Sequence, residues 1–595
     1  MPKERIYEDL SLVQRRARTV FLSLAIVLAG VLFYYWKVQI LDHKKYFRMA
    51  EANRLRERIL PAPRGVIRDR NDVILADNKA GFKVSLIREN MKDYSRSCRE
   101  VSALIGIDRQ VLEDRISKYI NIPKHEPIVI KDNLTLEEVS QVEARKYDYP
   151  ELVVEVEPKR FYPFGKMGAH ILGYLQELTL EEIKSDTQKQ RHPGDLGGKT
   201  GIEKQYDARL VGDDGKVMEI VDNLGKSRGE MNRIDPGQGR DLRLTLDFDL
   251  QKKAEDLLEG REGAVVVLDV RRGEILAMAS FPTYDPNQFI SRFTPAEWSN
   301  LVSDPTYPLE NRAIRGLYSP GSLFKPVMAL AGLDAGLISE KTTTYCSGGI
   351  EIYGHPFSCW FRSGHGSMNL ANAIRNSCNI YFYSLGKKLG IERISQYART
   401  LGLGKKTGVD IPGEKEGLVG DPDWKMETSK TAWFPGETIS VSIGQGPLLV
   451  TPLQAACVTA VIAGRGKQVK PHLFVDAFDI LDPGAAVPIA PASFEKVIEG
   501  MWRSVNDDGT GRAARVDGFN ICGKTGSTQI VSTERAEVLA RQGKEIKTHS
   551  WFSGFAPKNR PEVVVTVLVE FGGMGSAAAA PLAGQLFDLY RRKND

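Results

Sequence analysis

The sequence predicts an α+β protein, with an antiparallel sheet sandwiched by helices standing after a single transmembrane helix and an elongated mixed α/β pedestal. Three observations lead to this. Residues Thr19 to Trp36 form a mostly apolar run without charge. From Asp241 onward strand-like segments come first, helical patterns fill the middle, and strands return near the C-terminus, the order expected of helices laid on one sheet. The length of 595 residues exceeds what one core organises, so several domains are expected.

The anchor comes first. Eighteen helical residues span about 27 Å, close to the hydrocarbon thickness of a bilayer. Arg15, Arg16 and Arg18 stand just before the run, so the positive-inside rule places the N-terminus in the cytoplasm. Tyr34, Tyr35 and Trp36 suit the far interface. A cleaved signal peptide is the rival reading, but Phe33-Tyr34-Tyr35-Trp36-Lys37 offers no small-residue cleavage site. The expected division is a cytoplasmic tail at 1–18, the anchor at 19–40, a non-catalytic pedestal at 41–240 and a catalytic domain at 241–595, outside the membrane.

Residues 37 to about 60 carry charge at helical spacing and read as a stalk ended by Pro61 and Pro63. Arg64 to Ala76 reads as a hairpin about an Asn-Asp turn. Residues 90–150 alternate helices with short strands, and 151–240 add strands and glycines. In the catalytic domain strands are expected at Leu242–Leu246, Gly263–Asp269, Gly273–Ala279, and near 520–530, 549–556 and 563–571. A helix is expected at Asp249–Glu259, and helical patterns dominate 320–400. A formal charge of +5 without a basic aromatic stripe gives no support to nucleic-acid binding. Six cysteines are too few for a disulfide scaffold.

The chemistry concentrates in three places. In Ser319-Pro320-Gly321-Ser322-Leu323-Phe324-Lys325, Pro320 and Gly321 mark a turn into a helix. Ser322 then falls where free backbone N–H groups favour developing negative charge, and Lys325 shares its helix face. A serine hydroxyl is a weak nucleophile that needs an adjacent base, and a desolvated neutral lysine can be that base. Ser377-Cys378-Asn379 lies between helical patterns, and Lys524-Thr525-Gly526-Ser527 inside a β-like stretch. Other copies of these short motifs fit less well. Ser384–Lys387 reads as a helix surface, Lys199-Thr200-Gly201 precedes the nucleophile, Lys406-Thr407-Gly408 sits in a glycine-rich loop, and Ser367-Met368-Asn369 precedes a helix.

In this order the three motifs resemble the penicillin-recognising serine transferases and hydrolases. Arg64–Ala76, together with Gly201-Ile202-Glu203-Lys204-Gln205-Tyr206-Asp207 and Leu210-Val211-Gly212, resembles the pedestal signature of class B penicillin-binding proteins. Pro435-Gly436-Glu437-Thr438, Gly444-Gln445-Gly446 and Thr451-Pro452-Leu453-Gln454 are similar to the elongation-specific branch. The resemblance implies the penicillin-binding transpeptidase fold after a dimerisation-type pedestal. It implies a peptidoglycan D,D-transpeptidase that cross-links stem peptides through a serine acyl-enzyme during elongation and rod-shape maintenance, and that β-lactams inhibit. Ser322 would attack a D-Ala-D-Ala carbonyl and Lys325 take its proton. Ser377 and Asn379 would pass that proton to the leaving amine and hold the peptide. Lys524, Thr525 and Ser527 would meet the terminal carboxylate, and Gly526 leaves room for substrate backbone. The oxyanion hole would be the N–H groups of Ser322 and Ser527. No cofactor is required for this chemistry. The partners implied are a RodA-type polymerase and an MreC-type scaffold. One departure is Asn379, where aspartate is frequent in that branch; either residue can hydrogen-bond.

Rival readings are a division-specific class B transpeptidase, a D,D-carboxypeptidase, and a β-lactamase-type hydrolase. No Glu-x-x-Leu-Asn setting lies between 379 and 524, which speaks against the last. A class A enzyme would carry a glycosyltransferase domain ahead of the pedestal, and none is seen. A sensor would carry several spans, and a non-enzymatic scaffold would lack a motif. The pedestal, between anchor and active site, is expected to couple cross-linking to a membrane polymerase.

Finally, Cys346, Cys359, His365 and Cys378 fall in one short stretch rich in glycine. Three thiolates and an imidazole suit tetrahedral zinc in a structural role. A Cys346–Cys359 disulfide, with Cys378 an ordinary buried small residue, is the alternative.

Overall fold

The computed structural model describes residues 10–595 except 122–123, 125, 187–190, 192–193, 222–226, 291–292, 477–485 and 530–546. The chain forms two compact units. One comprises the chain up to Ala62, Phe82–Glu157 and Asp213–Gly237; the other comprises Pro63–Gly81, Pro158–Gly212 and Gln238–Asp595. The units do not follow chain order, so two segments of the expected pedestal, Pro63–Gly81 and Pro158–Gly212, belong with the C-terminal part. Hydrogen bonds to that part hold them there, from the Tyr206 hydroxyl to Asp410 Oδ2 and from the Leu242 N–H to the Val66 carbonyl, while a buried ionic cluster ties the two segments to each other. Arg160 Nε and Arg64 Nη2 each lie 2.6 Å from a carboxylate oxygen of Glu203, and both Arg160 and Glu203 side chains are fully buried. Charges out of water persist only when paired this closely.

In the first unit a helix runs from Leu10 to Trp36 and continues through π-turns at Lys37–Leu41. Its apolar side chains, Phe21, Leu24 and Ile26 among them, are exposed, as a lipid-facing helix requires. Among the described residues it is the one helix long and apolar enough to cross a membrane. The expected helical stalk to residue 60 is corrected: the helix His43–Arg54 gives way to the strand Leu55–Leu60. That strand pairs with Gly215–Val221, which pairs in turn with Ser227–Ile234. A partner so distant in sequence overrides local helical spacing. Helices Tyr94–Ile105, Arg109–Lys118 and Leu136–Ala144 enclose a small core of Val101, Ile105, Leu112, Ile130 and Val142.

The second unit is built on a five-stranded sheet in the order Ile275–Phe281, Gly263–Asp269, Val563–Val569, Thr548–Ala556, Cys522–Gln529, antiparallel throughout. Side chains alternate across a strand, and here both faces are covered. Ala264, Val266 and Leu268 enter the core that holds Phe324 and the helix Pro452–Ala463. Val265 and Val267 enter the opposite core with Leu250, Leu258, Leu586 and Phe587. The last two lie on the C-terminal helix Ala579–Asn594. The expected hairpin forms, with Ile67 opposite Ala76. Asp69 Oδ1 accepts from the N–H groups of Asn71 and Val73, and Asp72 takes a left-handed φ of 66°, as short acidic side chains do in turns. Leu242–Leu246 shortens to Leu242–Arg243. The helical stretch 320–400 is interrupted by two small hairpins, Thr344–Cys346 with Gly366–Met368 and Gly349–Ile352 with His355–Ser358.

Candidate active site

Ser322 lies half-buried in the 3-10 turn Gly321–Phe324, which feeds the helix Lys325–Asp334. The turn exists because Gly321 adopts φ 56° in a space without room for a side chain: a Cβ there would stand 2.4 Å from Thr528 Cγ2. Its N–H donates to the Gly444 carbonyl at 2.8 Å. The Gly444-Gln445-Gly446 segment thus buttresses the turn that carries Ser322.

Lys325 is fully buried. Its Nζ lies 2.8 Å from the Ser377 carbonyl oxygen, 3.1 Å from Ser377 Oγ and 2.7 Å from Asn379 Oδ1. Burial pushes the ammonium down to about 8, while the thiols of Cys378 and Cys359 pull the other way. The carbonyl and amide oxygens take two N–H bonds, so a neutral amine keeps its lone pair for a hydroxyl.

Ser377 is placed by the end of the helix Leu370–Arg375. The Cys378 N–H donates to the Ala373 carbonyl and the Ser377 N–H to the Ile374 carbonyl, which is the Schellman arrangement. The left-handed position in that arrangement usually belongs to glycine; here Ser377 holds it at φ 54°. Cys378 then begins the helix Asn379–Thr400, which directs Asn379 back to Lys325.

Lys524-Thr525-Gly526-Ser527 lies on the edge strand Cys522–Gln529, with Lys524 opposite Ser553 and Gly526 opposite Trp551. Lys524 is buried and donates to the Thr525 carbonyl. Burial, and then the charge of Lys325, hold it well below the ordinary lysine range. Gly526 passes close to Pro320, whose carbonyl oxygen would be 2.9 Å from a Cβ. The Thr525 hydroxyl donates to Thr510 Oγ1. Ser527 is exposed, and its Oγ accepts from the Gly575 N–H at 3.0 Å, which leaves its own proton free to donate. Thr510 and Gly575 carry no motif of their own; the glycines flanking Thr510 signal only a turn.

The other motif copies are occupied elsewhere. Lys387 is exposed, with its Nζ over the Tyr353 ring. Lys199 pairs with Glu182, Thr407 binds Glu414, and Asn369 caps the helix that begins at Leu370.

Cys346, Cys359, His365 and Cys378 converge, with one ligand atom from each lying within 4.8 Å of all the others. Both Cys346 Sγ and Cys359 Sγ are 3.5 Å from His365 Nδ1. All six cysteines are free thiols. A tetrahedral ion with Zn–S near 2.3 Å and Zn–N near 2.0 Å sets S to N at about 3.5 Å, so the donor set and its spacing fit zinc. Between two of these residues lies Trp360, half exposed, whose indole N–H donates to the Asn376 carbonyl at 3.0 Å. The cluster is thereby tied to the turn that holds Ser377.

A penicillin-binding protein transpeptidase domain model matches residues 263–588, and a penicillin-binding protein dimerisation domain model matches 59–244. The chain is similar to the peptidoglycan D,D-transpeptidase MrdA of Acinetobacter baumannii, 36% identical over 576 residues that cover 94% of this chain and 85% of the relative. It is similar to the solved penicillin-binding protein PBP2 of Helicobacter pylori in complex with MreC, with a TM-score of 0.79 and 30% identity over 91% of this chain and 99% of that one. It is also similar to a chain in a structure concerned with the coordination of polymerization and crosslinking by a peptidoglycan synthase complex, with a TM-score of 0.72 and 30% identity over 97% and 98% of the two chains.

Proposed function

The chain belongs to the penicillin-binding protein transpeptidases, in the class B branch of MrdA and PBP2, and on that premise we propose that Ser322 is its nucleophile and Lys325 the base that activates it. The observation that carries this is the position of Lys325 Nζ, buried against Ser377 and Asn379. As a peptidoglycan D,D-transpeptidase, the enzyme works on D-Ala-D-Ala stem peptides. Lys325 takes the Ser322 proton as Oγ attacks the penultimate D-Ala carbonyl. The N–H groups of Ser322 and Ser527 hold the oxyanion, an interaction typically worth two to three orders of magnitude in rate. The proton passes through Ser377 Oγ to the departing D-Ala nitrogen, and the peptide C–N bond breaks. An amine of a second stem peptide then attacks the ester, forms the cross-link and returns the proton to Ser322 Oγ. Ser527, with its proton free, meets the substrate carboxylate within the positive potential of Lys524, and Thr525 orders that wall.

The test is intact mass of the purified protein after exposure to labelled penicillin, with peptide mapping. One adduct per chain on the Ser322 peptide, absent from Ser322→Ala, is expected. An adduct on Ser384 overturns the assignment.

Cys346, Cys359, His365 and Cys378 hold a structural zinc. Bound there, the ion braces the loop between the two hairpins, and no catalytic step passes through it. The loop's hydrogen bond from Trp360 to Asn376 carries that support to Ser377.

Residues 19–40 anchor the chain with its N-terminus in the cytoplasm and the catalytic domain, 241–595, outside the membrane. The pedestal, 41–240, couples cross-linking to a RodA-type polymerase and an MreC-type scaffold. Two likenesses support this, a PBP2 solved with MreC and a chain of a peptidoglycan synthase complex. Pedestal substitutions that alter polymerase output while leaving penicillin acylation intact are the expected result. Normal cell growth with an unrelated spacer in its place counts against it.

A further inference from the structure

We propose that Thr510 is a positioning residue that locks the Ser377 turn to the strand carrying Lys524, Thr525 and Ser527. This rests on the reading of Ser322 as nucleophile. The two walls of the site come from distant parts of the chain, and their spacing sets whether a substrate can reach both. Thr510 stands between them. Its N–H and its hydroxyl both point at the Arg375 carbonyl, at 3.2 and 3.4 Å. Its Oγ1 accepts the Thr525 hydroxyl at 2.9 Å. Arg375 is the last residue of the helix that delivers Ser377, so its carbonyl has no partner within that helix.

The chain of hydroxyls has one direction. Thr510 gives its proton to a carbonyl, which can only accept, so toward Thr525 it can only accept. The Thr525 hydroxyl is held in one orientation, and a wall of the cleft is tied to the helix end two residues before Ser377. The loop carrying Thr510 is itself rigidly seated. The Gly511 N–H donates to the Ser504 carbonyl, and a Cβ on Gly509 would stand 2.5 Å from Ser504 Cα. Its helix, Pro491–Asn506, presses on the same neighbour: a Cβ on Gly500 would stand 2.8 Å from Ile374 Cβ. Arg375 also pairs with Asp507 at 3.6 Å. Helix end and loop therefore move together, and Thr510 is the group that extends this unit to the edge strand.

The experiment is penicillin acylation of the full-length protein, separated into the binding constant and the acylation rate, for Thr510→Val, Thr510→Ser, Thr525→Val and the double Thr510→Val/Thr525→Val. Thr510→Val keeps the shape and removes the hydroxyl. The expected result is a roughly 3- to 10-fold slower acylation step, the usual worth of one hydrogen bond, with binding little changed. Thr510→Ser restores the rate, and the double variant is no slower than the slower single one, because both substitutions cut the same bond. Wild-type acylation by Thr510→Val, a Thr510→Ser as slow as Thr510→Val, or multiplying losses in the double variant would overturn the proposal. Should Thr510→Val not fold, Thr510→Ser against Thr525→Val still decides it. Absence of any adduct on Ser322 in the unsubstituted protein would instead overturn the nucleophile assignment.

Discussion

Lys325 Nζ stands 2.7 Å from Asn379 Oδ1, a neutral acceptor, in a site where burial already pushes the amine down to about 8. The base must be unprotonated to act. Acylation by penicillin is therefore expected to rise with pH through about 8 and level off above it. Asn379→Asp places a negative charge on the ammonium and favours its protonated form, so the midpoint moves up by about one pH unit. Acylation rates of both proteins across pH check this; an unchanged midpoint in the aspartate variant speaks against Lys325 as the titrating base.

Lys325→Ala is expected to abolish labelling, as is Ser322→Ala. Lys387→Ala is expected to label normally, because that side chain is exposed and stands over Tyr353. Labelling lost in the Lys387 variant with the fold intact contradicts the choice between the two motifs.

Ser377 holds a left-handed φ of 54°, which costs a non-glycine residue about 1 kcal/mol or more. Ser377→Gly is expected to offset its entropic cost and leave stability equal or higher by up to about 1 kcal/mol, while acylation falls. Ser377→Ala loses the hydroxyl without relief of the backbone. Melting curves and acylation rates of the two variants, compared side by side, decide the matter; a glycine variant markedly less stable than the alanine one refutes it.

For the four-ligand cluster, metal analysis of protein purified without affinity metals is expected to find about one zinc per chain. Cys359→Ser and His365→Ala are expected to lower both metal content and melting temperature. A metal-free protein with a Cys346–Cys359 bridge in its peptide map excludes the site.

Glu203 tests the ionic cluster that joins Pro158–Gly212 to Pro63–Gly81. Burial pushes its carboxyl up, but Arg160 and Arg64 outweigh that and hold it below the ordinary range. A depressed carboxyl contributes stability above its unfolded pKa and loses it as pH falls through the folded value, so this contribution disappears only in acid. Glu203→Gln removes the carboxylate paired with buried Arg160, while Arg64 keeps Asp207 at 2.9 Å, and is expected to cost about 3–5 kcal/mol, measured by denaturant unfolding at neutral pH. A cost within the range of a surface substitution, about 0.5 kcal/mol, rules this role out.

The sequence by itself determined what depends on neighbours along the chain. Charge-free length marked the helix that ends at Trp36. Apolar runs marked the strands at Gly263 and Val563, because a strand buried on both faces carries apolar residues on each. Pro320-Gly321 marked the turn before Ser322, and the residue types and order of the three motifs named the chemistry. Tertiary structure decided whatever depends on partners far away in sequence. Leu55–Leu60 is a strand only because Gly215–Val221 pairs with it. Pro63–Gly81 and Pro158–Gly212 belong with the C-terminal part, where buried Glu203 accepts both Arg64 and Arg160. Thr525, expected to face a substrate carboxylate, gives its proton to Thr510, a residue without any local signature. Ser377 and Lys325 meet because the helix Leu370–Arg375 and the helix that begins at Lys325 are packed against each other. Spacing along a chain sets which face a side chain takes, but only the folded core brings two such faces within hydrogen-bond distance.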